Sequence, residues 1–238
     1  MITTTLAATP EAREWKAQDG TVIKYRWSVP QKIEPGKTYP LVLFLHGAGE
    51  RGDDNTAQLK HGVIPIIKGA EKFGTLVFLI APQCPAGKWW SPADSTKTRL
   101  IAAMQPNALL ESVLALVTYI QMKYPVDPKR LHVTGISMGG FGTWDLLVRA
   151  TDRIASAIPI CGGGDPPLAM KFKNVPVWAF HGEADDVVPD RGTRDMIEAL
   201  EKSGGKPKAT YYPETGHDSW TRTYDNPDVI RWMLGHSK

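Results

Sequence analysis

Two hydrophobic patterns alternate along this chain. Unbroken apolar runs of strand length occur at Leu41-Val42-Leu43-Phe44-Leu45, at Leu76-Val77-Phe78-Leu79-Ile80, over Ile154 to Ile160 and over Val175 to Phe180. Such runs mark strands buried on both faces, as in a parallel sheet covered by helices. Between them lie stretches with helical spacing. The clearest is Asn107 to Tyr124, with Leu110, Val113, Leu114, Val117 and Ile120 on one face and Pro125 ending it. Thr56 to Lys72 has similar spacing interrupted by Gly62 and Pro65, which predicts a broken helix. Thr193 to Lys202 and Asn226 to Leu234 are the last helical stretches, with Ala209 to Tyr212 a strand between them.

A different pattern opens the chain. Ala12 to Ser28 alternates around Asp19-Gly20, a strong signal for an antiparallel hairpin. Strand and helix alternate from there on, with no repeat and no linker. The expectation is one α/β domain over residues 1–238, with a mostly parallel sheet, helices on both faces and an N-terminal antiparallel hairpin. Pro82 to Pro106 has no period and contains Trp89-Trp90; loops that long usually serve as functional covers.

The most telling stretch is Leu131 to Gly142. It reads as a short strand, a turn of small residues around one serine, and the start of a helix reaching Ala150. Gly135-Ile136-Ser137-Met138-Gly139 fits the G-x-S-x-G pattern of a strand-to-helix elbow. A serine on so sharp a turn is strained, and its neighbours two positions away must lack a Cβ for strand and helix to approach. Its Oγ then stands beside the first free N–H groups of the helix, where negative charge is favoured.

A serine hydroxyl needs a base, and the base an orienting group. His217, in the glycine-led loop after the last strand, is the best placed histidine. His132 lies within the elbow strand, His236 in the C-terminal tail and His61 in the broken helix. His46 and His181 precede glycines at strand ends, where imidazoles commonly tie loops together. The acid belongs in His181-Gly182-Glu183-Ala184-Asp185-Asp186, where Asp185 and Asp186 compete. Two backbone N–H groups should form an oxyanion hole: Met138 after the serine, and Ala48 in the loop after Leu41 to Leu45. Trp89, Trp90 and Trp220 flank these loops and offer aromatic faces to a substrate.

Composition narrows the picture. The 238 residues carry a net charge of only +3, with Lys and Arg scattered, which argues against nucleic acid. No apolar run approaches the length needed to span a bilayer. Met1 to Pro10 lacks the basic and apolar regions of a signal peptide, and export with a leader removed stays open. The six histidines show no metal-binding spacing, so no metal or other cofactor is expected. Cys84 and Cys161 read as small buried or half-buried residues, with a bridge between them left open.

His46-Gly47-Ala48-Gly49, the elbow, His181 to Pro189 and Gly216-His217 together resemble the α/β-hydrolase superfamily. Leu43 to Asn55, Ala81-Pro82-Gln83-Cys84-Pro85 and Pro159 to Gly163 resemble its bacterial carboxylesterase/phospholipase-like group. That group, often labelled predicted peptidase, is related to polyhydroxybutyrate depolymerases and to feruloyl and acetyl-xylan esterases. The resemblance covers Pro40 to the C-terminus. It implies an α/β-hydrolase fold, Asp185 rather than Asp186 as the acid, and Ala48 and Met138 as the oxyanion hole. It also implies a serine esterase working through an acyl-enzyme on short acyl, hydroxycinnamoyl or carbohydrate esters. A peptidase or an acyltransferase would use the same three residues; a binding module would not need them intact.

Overall fold

The computed structural model describes residues 9–94, 96–100 and 105–238. Residues 1–8, in the stretch read for a leader, and residues 95 and 101–104 of the Pro82 to Pro106 cover lie outside them. Among the described residues, eight strands form one sheet. The hairpin strands β1 (Glu11–Lys16) and β2 (Val22–Ser28) pair antiparallel, with Trp15 opposite Ile23. Asp19 fixes their turn by accepting the Thr21 N–H at 2.9 Å, and Gly20 takes the positive φ that the turn requires.

The remaining strands are β3 (Tyr39–Leu45), β4 (Phe78–Pro82), β5 (Val126–Ile136), β6 (Ile154–Ile160), β7 (Trp178–Gly182) and β8 (Lys208–Tyr212). The order is β1-β2-β4-β3-β5-β6-β7-β8, antiparallel as far as the β2–β4 pair and parallel beyond it. The mostly parallel sheet with its antiparallel hairpin is the architecture that the apolar runs predict. Strand β7 starts later than Val175 because Pro176 has no N–H to donate, and pairing there shrinks to a single bridge between Ala157 and Val177.

Helices cover both faces. Leu41, Leu43 and Leu45 pack with α2 (Ala108–Lys123), α3 (Met138–Arg149) and α4 (Arg191–Lys202). Val42 and Phe44, between them in sequence, pack on the other side with α1 (Val63–Lys72), α5 (Trp220–Tyr224) and α6 (Pro227–Leu234). This alternation, apolar on both faces, is why the runs are unbroken. Asn107 caps α2 by accepting the Leu110 N–H, and Asn226 caps α6 through the Asp228 N–H. Among the described residues no helix is long and apolar enough to cross a membrane.

Candidate active site

The loops at the carboxyl ends of β3, β5, β7 and β8 converge on Ser137. This residue has φ 51° and ψ −116°, a strained pair for a side chain with a Cβ. The glycines around it are required by contact. A Cβ on Gly135 would lie 2.4 Å from the Gly139 carbonyl oxygen, and one on Gly139 only 1.9 Å from that of Leu45. A Cβ on Gly140 would meet the Ile160 oxygen at 2.3 Å. Close packing of α3 against β3 and β6 therefore holds the elbow in its strained form.

Ser137 Oγ lies 2.9 Å from His217 Nε2, and His217 Nδ1 lies 2.7 Å from Asp185 Oδ2. A carboxylate can only accept here, so Nδ1 carries the proton and the serine hydroxyl donates to Nε2. The loops bearing Asp185 and His217 are tied by the Ala184 N–H to the Thr215 carbonyl at 3.0 Å, and Gly182 lets them touch.

Asp185 is strongly held. Burial alone would raise its pKa, but hydrogen bonds from His181 and His217 and from the Val188 N–H keep it well below the usual carboxylate range. His181, fully buried, brings Nε2 to 3.2 Å from Asp185 Oδ2 and to 2.9 Å from the Val188 oxygen. The acid thus rests between two imidazoles. Asp186 is exposed.

Ala48 opens a 3-10 turn and Met138 opens α3, so their amides belong to first turns whose N–H groups lack helical partners. Both residues line a cavity of about 440 Å³ together with Ser137. Its other walls are mainly apolar: Trp89, Pro92, Phe141, Val187 and Val188, with Asp94 and Lys97 at hand.

The tryptophans part company. Trp89 is half exposed and lines the cavity. Trp90, expected beside it as a substrate contact, is fully buried: its indole N–H donates to the His46 carbonyl at 3.0 Å and its ring packs edge-on against His46. A side chain so enclosed has no face to offer a ligand, and its role is to anchor the cover. Trp220 lies on His217 instead of on the cavity wall, perpendicular to that ring at 5.2 Å and also against His61.

Both cysteines are free and buried, so the bridge left open by the sequence does not form. Burial pushes the Cys84 thiol up to about 12 and the Cys161 thiol further still. Cys161, itself at φ 42°, takes the Ser137 N–H on its sulfur at 3.3 Å. Cys161, Asp185 and His217 bring one potential metal donor each within 4.8 Å, the one such group among the described residues. With the acid and imidazole bonded to each other and the thiol held protonated by burial, the set fits a proton relay better than a metal site.

The other histidines serve structure. His46 Nε2 accepts the Cys84 N–H at 2.9 Å, and His132, enclosed in the sheet, pairs with Ser156 at 2.8 Å. Sequence reasoning missed Phe141, Val187 and Val188 as cavity walls. Phe141 had a signal, one helical turn beyond the elbow serine and so on its face of α3; the valines had only their place beside the acid.

Residues 86–228 match the model of the dienelactone hydrolase family. The chain belongs to that family. A solved relative of this dienelactone hydrolase family member, a thermostable esterase, is 34% identical with a TM-score of 0.89, covering 98% of this chain and 64% of that one. The fold is the α/β-hydrolase fold. Poly(3-hydroxyalkanoate) depolymerase C of Paucimonas lemoignei is 29% identical over 131 residues, 52% of this chain and 28% of its own length. The bifunctional acetylxylan esterase/xylanase XynS20E of Neocallimastix patriciarum is 29% identical over 176 residues, 74% of this chain and 23% of its own. The chain thus spans about a quarter of the length of these two curated relatives.

Proposed function

We propose that this chain is a serine carboxylesterase, with Ser137 as nucleophile, His217 as general base and acid, and Asp185 as orienting acid. The observation that carries this reading is the continuous Ser137–His217–Asp185 hydrogen-bonded array opening on an apolar cavity. Ser137 Oγ attacks the ester carbonyl carbon as His217 Nε2 takes its proton. The oxyanion falls to the Ala48 and Met138 N–H groups. Collapse of the tetrahedral intermediate breaks the bond to the leaving oxygen, which takes the proton from His217. Water, deprotonated by the same nitrogen, then releases the acid and restores the serine. Asp185, ionised throughout, holds the imidazole tautomer and stabilises the imidazolium.

The cavity walls support a substrate class. Trp89, Phe141 and Val188 around a modest cavity suit short acyl or hydroxycinnamoyl groups. A carbohydrate alcohol is supported by the relative named an acetylxylan esterase. Peptide cleavage needs a chain held on both sides of the bond, usually by an edge strand; β5, which delivers Ser137, is interior to the sheet. The test is a set of matched esters and amides. Acetyl, butyryl and feruloyl esters should be hydrolysed, with kcat/KM on amides lower by at least about 10³-fold, or about 4 kcal/mol. Comparable rates on an ester and its amide would remove the esterase reading in favour of a peptidase.

A further inference from the structure

A second, surface-open cavity of about 450 Å³ adjoins the first, and the two share Trp89 and Pro92. The second is lined by Pro85, Pro106, Ala108 and Leu109, with Thr21, Lys88 and Asn107 adding polar groups. The first cavity is walled by Ser137 together with Ala48 and Met138 but not by His217, so it extends from Ser137 on the side away from that imidazole. The leaving oxygen must face His217 Nε2 to be protonated. The group reaching toward Trp89 is therefore the acyl part of the ester.

Trp89 is built as a partition. Its neighbour Trp90 is locked in the core, which fixes the backbone. The Trp89 ring stands out from it, half exposed, with the Arg51 guanidinium 4.8 Å from the ring centre. Arg51 in turn donates to the Ala48 carbonyl at 2.9 Å and to the Lys88 carbonyl at 3.3 Å. One cation thus holds the indole upright and ties it to the loop that carries Ala48. The half-exposed ring belongs to neither hydrophobic core, so shortening it should cost the fold little.

We propose that Trp89 sets the length of the acyl group: it closes the cavity at Ser137 against medium-chain acyl esters, for which the second cavity is a latent subsite. This rests on the esterase reading above. Without the indole the two spaces join, and an octanoyl or dodecanoyl tail gains a mainly apolar path past Pro92 onto Pro85, Ala108 and Leu109.

The experiment measures kcat/KM on nitrophenyl acetate, butyrate, octanoate and dodecanoate for the parent and for Trp89→Ala, with Trp89→Leu as a second truncation. The parent should favour the short esters. The dodecanoate-to-butyrate ratio should rise at least about tenfold in Trp89→Ala, equivalent to burying roughly two further methylenes, and by less in Trp89→Leu. Adding Ala108→Phe to Trp89→Ala should fill the second cavity and bring the ratio back down. An unchanged ratio in both truncations overturns the proposal. A rise that Ala108→Phe does not reverse overturns the second cavity as the acceptor. A parent that hydrolyses none of the four esters would instead contradict the esterase reading itself.

Discussion

Asp185 Oδ2 lies 2.7 Å from His217 Nδ1, and the Asp185 side chain is withdrawn from solvent while its neighbour Asp186 is exposed. The two aspartates compete on sequence alone, and the turn separates them. The Val187 and Val188 N–H groups both donate to Asp185 Oδ1 at 2.9 Å, which leaves Oδ2 for the His217 and His181 imidazoles.

Asp185→Asn should therefore cost far more activity than Asp186→Asn. The amide keeps the shape but offers a donor where the imidazole needs an acceptor, and it favours the wrong tautomer, an effect of roughly 10⁴-fold in kcat in a comparable triad. Asp186→Asn should alter kcat by less than about twofold. Steady-state kinetics on folded, purified variants decides it, and the reverse ranking would move the acid role to Asp186.

Acid should weaken the fold before it reaches the carboxylates. Burial pulls His132 down from 6.5 to about 3, with Arg130 and His236 adding to the effect. Burial likewise takes His46 to about 4, with Arg51 opposing its protonation and the Gly47 carbonyl and Asp54 favouring it. Both are neutral in the folded chain where the unfolded chain would bind a proton. Stability should then fall as pH drops from about 6.5 toward 4, by at most about 1.4 kcal/mol per pH unit for each histidine. Asp185, depressed from 3.8, adds a loss only below that pH. Urea unfolding at pH 7 and pH 5 measures this. His132→Asn, which keeps a partner for Ser156 and removes the titration, should narrow the difference; an equal difference in parent and variant would contradict the assignment.

Much of this was legible because it rests on local necessity. Unbroken apolar runs such as Leu41 to Leu45 exist because both faces of β3 are covered. The glycines around Ser137 are legible because a Cβ at each would strike backbone. What stayed illegible depends on which distant segment lies opposite. Trp89 and Trp90 are adjacent and identical in type, yet only a contact with the His46 carbonyl, 44 residues away, decides which is buried. Cys161 stands beside Ser137 through the pairing of β5 with β6, which no spacing announces. The short helix α5, rich in threonine and aromatic residues, is set by Asp218 accepting the Thr221 N–H and by packing of Tyr224 against Phe44.

Active-site labelling decides whether Ser137 is the nucleophile. A fluorophosphonate probe should attach at one serine, identified as Ser137 by peptide mass, with ester hydrolysis lost in proportion to labelling. Ser137→Ala should abolish both, with turnover down by about 10⁶-fold in kcat, while its circular dichroism and melting curve match the parent. A folded Ser137→Ala variant that is still labelled and still hydrolyses esters would contradict the account.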